Sequence, residues 1–177
     1  PAEGPMIRNS NAHFVRAALS RLGAREVHYG GIVTDDPERI RERIREGLAD
    51  DFLILSGGVS EGEMDVVPQC LAECGVEKIL HKVAVKPGKP LYVGRSPSGT
   101  VVFGLPGNPV AVMVHMAMLV KPLFLKGSGA REYLPKPVYL PLAAEAHNRS
   151  IGKKFTPARI VSKGGKSVVA EIPSNGS

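Results

Sequence analysis

The chain has 177 residues, enough for one ordinary domain, or one domain and part of a second, with a real buried core. Hydrophobic residues make up 43% and charged residues 23%, close to globular averages, which excludes a largely disordered chain. The formal charge of +6 suits an anionic ligand, but no run of five basic residues occurs and Trp is absent, so no sequence-specific nucleic-acid binding is expected.

In chain order, Pro1 to Ser10 is polar and carries no secretory signal pattern. Asn9-Ser10-Asn11 offers capping side chains to a helix whose apolar face is Phe14, Val15, Ala18, Leu19 and Leu22, with Gly23 as its stop. Val27 to Val33 reads as a strand, with Gly30-Gly31 marking a bulge or close approach. Thr34-Asp35-Asp36-Pro37 is a turn into a helix from about Glu38 to Leu48. Its Ile40, Ile44 and Leu48 share a face, and its arginines read as solvated surface.

Phe52 to Leu55 follows as a buried strand that stops at Ser56-Gly57-Gly58. An acid-bearing loop then leads through Asp65 into a helix, Val66 to Cys74. Strand, glycine turn and helix start form a frequent anion site, where free N–H groups and the positive end of the helix dipole meet a phosphate. A plain tight turn has the same pattern, and the residues alone leave both readings open. Cys70 and Cys74 lie four apart on this helix, a poor disulfide spacing without a second metal-ligand pair. Two reduced thiols are expected.

Val76 to Val85 is extended and runs into Lys86-Pro87-Gly88-Lys89-Pro90, a rigid non-helical loop that with Lys82 concentrates three lysines. Leu91 to Gly94 and Thr100 to Gly104 read as a hairpin. Leu105-Pro106-Gly107-Asn108-Pro109 then opens an apolar helix from Val110 to about Leu125. The longest apolar run, Val110 to Val120, is too short to span a bilayer and holds His115, which reads as a packed core histidine. Past Gly127-Ser128-Gly129 only short β-like runs remain, Val138 to Ala143 and Thr156 to Glu171, with a turn at Lys163-Gly164-Gly165-Lys166. The alternation predicts an α/β protein: a three-layer, mostly parallel sheet flanked by helices, followed by a partial β segment. The expected division is 1–128 for the α/β domain and 131–177 for the β piece, in a cytoplasmic chain that is a fragment of a longer one.

Three loops occur in order at matching separations: Ser56-Gly57-Gly58-Val59-Ser60-x-Gly62-x-x-Asp65, Lys86-Pro87-Gly88-Lys89-Pro90, and Gly104-Leu105-Pro106-Gly107-Asn108-Pro109. With Asn9-Ser10-Asn11 and Thr34-Asp35-Asp36-Pro37 they closely resemble the molybdopterin molybdenumtransferase family, over most of residues 6 to 127. The resemblance implies a molybdopterin-binding α/β domain in which adenylated molybdopterin meets molybdate and AMP is released, with Mg2+ or another divalent cation assisting.

Carried over by position, it implies that Asp35 and Asp65 place the cation, phosphate or molybdate. Lys82 and Lys86 would line the same pocket, with Lys89 close by. Ser56, Gly57, Gly58 and Ser60 would hold the pterin phosphate, and Pro106, Gly107, Asn108 and Pro109 the opposite wall. It also implies a homodimer in the full-length parent, with no nucleic-acid or membrane partner. Two departures stand out: Asn9 where the family often has an aspartate, and Glu61 inside the glycine loop, where a negative charge opposes a phosphate. With the family's N-terminal half missing, they motivate the alternative of a non-catalytic molybdopterin-binding or scaffold module.

Overall fold

The computed structural model describes residues 9–59, 66–148 and 150–172. Four strands, β1 (Phe52–Ser56), β2 (Glu77–His81), β4 (Tyr92–Arg95) and β5 (Val101–Leu105), form a sheet in the order β1-β5-β4-β2. Two-residue β3 (Val85–Lys86) lies apart, paired with β6 (Lys153–Lys154).

Period-two alternation divides the sheet's side chains between two cores. On one face Leu53, Leu55, Tyr92 and Val102 pack against α2 (Pro37–Gly47) and α3 (Val67–Glu73), through Ile40, Ile44, Cys70 and Leu71. On the other, Phe52, Ile54, Val93, Phe103 and Leu105 pack against α1 (Ser10–Arg21), α4 (Pro109–His115) and the helical turn that continues it, through Val15, Val112, Met116 and Val120. Ile44, Leu71, Phe103 and Leu105 are fully buried. Arg41 ties the two outer helices of the first face, reaching Glu38 and Glu73 at 2.6 Å each.

The expected layered α/β architecture is present, but its sheet is mixed rather than mostly parallel. β1 and β5 run parallel, whereas β4 is antiparallel to both β5 and β2. Connection length explains the difference: only five residues join β4 to β5, and a parallel pair needs a crossover of about a dozen or more.

A second expectation fails at Val27 to Val33, where no strand forms. β1 is the terminal strand of its sheet, and the segment before α2 pairs with no described strand. Tyr29 and Ile32 stand exposed, and side-chain contacts hold the segment instead: Arg16 over the Tyr29 ring, Asn9 on the Tyr29 hydroxyl, and His28 against Asp50. Apolar, β-prone residues do not make a strand without a ladder partner.

The apolar helix is also longer than its sequence suggests. It runs unbroken from Pro109 to Gly127 over 19 residues, long and apolar enough by length and composition to cross a membrane. Its face of Ala111, Val112, His115, Met116 and Val120 is buried against the sheet, as in a core helix of a globular domain. Met116–Val120 is a π-helical turn between α4 and α5 (Lys121–Gly127), and the Lys121 N–H reaches the Met116 carbonyl. Pro122 accounts for the widening, since its ring collides with the Met118 carbonyl in regular α geometry.

Beyond α5, β7 (Ala158–Lys163) and β8 (Lys166–Glu171) form the hairpin expected around Gly164-Gly165. Of the Val138 to Ala143 run, only Leu142 makes a bridge, to Val169. β6 reaches back to pair parallel with β3, with Val85 opposite Lys153 and Lys86 opposite Lys154.

Candidate functional site

β1 and β5 are parallel neighbours, so the loops that follow them leave the same edge of the sheet, where open α/β sheets bind ligands. The Gly57 N–H donates to the Leu105 carbonyl at 2.9 Å, continuing the ladder into both turns. The Ser56 hydroxyl donates to the Pro106 carbonyl at 3.3 Å. Gly57 and Gly58 have φ of 91° and 65°, and a Cβ on Gly58 would stand 2.9 Å from Val67. The turn therefore needs glycine both for its conformation and for its approach to α3. Ser60 and Asp65 lie outside the described residues.

The second loop is built around Asn108. Its carboxamide oxygen accepts from the Val110 and Ala111 N–H groups at 2.9 and 3.2 Å, which starts α4, and Pro109 fills the first helical position. Pro106 is buried, while Gly107 and Pro109 are exposed. Asn11 of α1 joins the two loops: its Nδ2 donates to Ser56 Oγ at 2.8 Å and to the Gly107 carbonyl at 2.9 Å. The Gly107 carbonyl fixes this amide orientation, because the flipped form would set oxygen against oxygen. Asn11 Oδ1 is left buried without a hydrogen-bond partner.

The lysine loop arrives at the same edge by topology. The end of β2 and the start of β4 both lie level with the end of β5, because His81 pairs with Tyr92 and Tyr92 with Gly104. Residues 82–91 close on themselves, with Lys82 N–H to Leu91 O at 2.8 Å and Val83 N–H to Lys89 O at 3.0 Å. Lys82 is half-buried with φ 72°, a left-handed conformation that costs a non-glycine residue about 1 kcal/mol and concentrates at functional sites. Lys86 and Lys89 are exposed, and the Lys86–Pro87 bond is cis. β6 sets Lys154 opposite Lys86, and Lys154 Nζ lies 3.9 Å from Glu171.

Asp35 is an exposed residue just before α2. The far end of α2 lies at the start of β5, where the Thr100 hydroxyl donates to the Leu48 carbonyl at 2.9 Å. Asp35 is therefore at the opposite end, on the loop side of the sheet. Its neighbour Asp36 is occupied as the α2 cap, accepting from the Glu38 N–H at 2.9 Å. Among the described residues, no group of three His, Cys, Asp or Glu side chains is placed to hold a metal ion. Asp35 does not by itself make a cation site.

Two histidines were not legible as parts of this edge. His81 Nε2 lies 3.1 Å from the Val59 carbonyl, linking β2 to the glycine turn, and its ring stands edge-on to Tyr92. His115 is buried, as its place on an apolar helix predicts, but its Nε2 lies 2.7 Å from the Gly88 carbonyl of the lysine loop. Burial pushes its pKa below the ordinary 6.5, outweighing the Gly88 and Pro90 carbonyls that favour a protonated ring. Helical periodicity places His115 on the buried face. The partner is 27 residues away in sequence, and only packing supplies it.

The fold and the converging loops define a class, the layered α/β domains that bind ligands at the ends of their strands. The chain belongs to the molybdopterin-binding domain family: the model described as "Probable molybdopterin binding domain" matches residues 5–126. It is 35% identical over 159 residues to the molybdopterin molybdenumtransferase of Nostoc sp., covering 88% of this chain and 36% of that protein. The Bacillus subtilis molybdopterin molybdenumtransferase is 36% identical over 124 residues, covering 70% and 28%.

Among solved structures, the molybdopterin biosynthesis moea protein from Pyrococcus horikosii superposes with a TM-score of 0.74 at 25% identity. The match covers 98% of this chain and 41% of that one. Molybdenum cofactor biosynthesis protein B shares the fold, at a TM-score of 0.54 and 19% identity, over 71% of this chain and 87% of that one. The chain thus spans about a third of the length of the curated relatives it matches.

Proposed function

We propose that this chain supplies much of one active site for inserting molybdate into adenylated molybdopterin, with release of AMP. The observation that carries the reading is the convergence of the Ser56-Gly57-Gly58 turn, the Pro106 to Pro109 loop and the Lys82 to Lys89 loop on one sheet edge. Residues 1–128 are taken as the pterin-binding unit and 131–177 as part of a β subdomain laid against it. We read the parent protein as a cytoplasmic homodimer.

In this reading the Gly57 and Gly58 backbone, with Ser56 and Ser60, receives the pterin phosphate, and Pro106 to Pro109 forms the facing wall. Cleaving a phosphoanhydride moves negative charge onto the departing AMP. Ammonium groups of Lys82, Lys86 and Lys89 aimed at it stabilise the transition state more than the ground state. Removing one such group costs roughly 3 kcal/mol, about a hundredfold in rate. Asp35 and Asp65 are the acids that orient molybdate or a divalent cation such as Mg2+, which when bound neutralises phosphate and molybdate oxygens.

The test is molybdate-dependent AMP release by the full-length protein. Asp65→Ala should abolish it, and unchanged turnover in that variant would remove Asp65 from the site. Calorimetry separates the binding-module alternative: tight molybdopterin binding by a wild-type protein that never releases AMP would replace the enzymatic reading.

A further inference from the structure

We propose that His115 is a positioning residue for the lysine loop: a buried imidazole on α4 that fixes the Gly88 backbone, and with it the aim of Lys86 and Lys89, without touching the ligand. The inference rests on the reading just given, in which those lysines face the reacting phosphate.

Three observations carry it. His115 is fully buried, yet its Nε2 lies 2.7 Å from the Gly88 carbonyl, a length at which a ring N–H donates. That tautomer puts the proton on Nε2, and the carbonyl cannot supply one. Gly88 is fitted to the ring. Its φ is 110°, and a Cβ built on it would stand 2.6 Å from Nε2, so the loop tip meets the Nε2 edge of the imidazole only because it lacks a side chain.

The rest of the loop is held from elsewhere, which leaves its tip to this contact. Its base is closed by the Lys82–Leu91 and Val83–Lys89 hydrogen bonds. Its outer edge is held by β6, where the Phe155 N–H donates to the Lys86 carbonyl at 2.8 Å and the Lys153 N–H to the Ala84 carbonyl at 2.9 Å. His115 holds the inner side, one residue before the tip lysine and two after Lys86. α4 also starts at Asn108, so one rigid element carries both the cap of the second loop and the clamp on the lysine loop.

The test uses the full-length protein with adenylated molybdopterin and molybdate. His115→Phe keeps the aromatic volume and removes the donor. It should lower kcat/KM about tenfold, as expected for a small misplacement of charged groups, while the thermal midpoint moves little. His115→Gln, which keeps an N–H donor, should restore most of the loss. In a Lys89→Ala background, His115→Phe should add less than it does alone, because one of the two lysines it aims is gone.

If His115→Phe turns over like wild type while Lys89→Ala is impaired, the positioning role is wrong and the lysine assignment stands. If Lys86→Ala and Lys89→Ala are both as active as wild type, the reading of the loop fails, and the positioning role fails with it. A His115→Phe loss undiminished in the Lys89→Ala background would make His115 a general core residue and overturn the proposal. Should His115→Phe not fold, Gly88→Ala displaces the same contact from the loop side, and wild-type kinetics in that variant would equally overturn it.

Discussion

At the residue scale, Asn11 is the joint between the Ser56–Gly58 turn and the Pro106–Pro109 loop, and its value comes from having one donor group with two acceptors on different strands' loops. Asn11→Ala leaves the Gly107 carbonyl and Ser56 hydroxyl without it and should destabilise the fold by about 1 to 2 kcal/mol, measured by urea unfolding. Asn11→Asp should be worse than Asn11→Ala, because a carboxylate then faces the Gly107 carbonyl.

His115 gives a pH signature whose sign follows from burial. Its pKa is lowered in the native state, so between that value and 6.5 the unfolded chain binds the proton that the folded chain resists. Its contribution to stability is complete above pH 6.5 and is lost as pH falls toward the native pKa. Thermal midpoints should drop on going from pH 7.5 to 5.5, and His115→Phe should flatten that drop.

Cys70 offers a third residue-level check. It is buried, and desolvation raises its thiol pKa, so little thiolate is available at neutral pH. A thiol reagent should label the partly exposed Cys74 first, and Cys70 only on unfolding. Equal labelling rates in the native protein would contradict the packing of α3 on α2.

At the element scale, α4 concentrates the most consequence in the fewest residues. Asn108 satisfies two free N–H groups at its start, His115 at its end, just before the π-helical segment, contacts the lysine loop, and Pro122 explains the widened turn between α4 and α5. Asn108→Ala should cost about 1 kcal/mol of stability through the lost cap. It should also weaken molybdopterin binding more than that loss of stability accounts for, since the proposed site has 106–109 as one wall. Calorimetry alongside denaturant unfolding measures the two separately. α2 is a contrasting case: its start, length and face follow from Asp36, Pro37 and the Ile40 to Leu48 spacing without reference to anything else in the chain.

At the scale of the whole molecule, the open side of β1 is the feature with physical consequences. β1 carries apolar residues on both faces, yet pairs with a neighbour only on its β5 side among the described strands. Beside it stands an unpaired segment with Ile32 and Tyr29 exposed. Open, apolar edges recruit other strands. The 177-residue chain by itself should therefore associate as its concentration rises in sedimentation velocity, and Ile32→Lys should reduce that association.

The sequence by itself determined the local pieces. Caps, proline positions and apolar periods gave α1, α2, the start of α4 and both glycine loops, because these depend on contacts within a few residues. The hairpins at 96–100 and 164–165 were legible for the same reason. The resemblance of five motifs in register, the three spaced loops with Asn9-Ser10-Asn11 and Thr34-Asp35-Asp36-Pro37, already pointed to the family. Tertiary structure decided what depends on partners distant in sequence: the mixed strand order, the failure of Val27 to Val33 to form a strand, the Asn11 bridge, and the reach of His115 to Gly88. A strand is a strand only with a neighbour to bond, and a buried histidine has a role only through the group packed against it. Periodicity can say that such a side chain is inside, but the fold alone says what it holds.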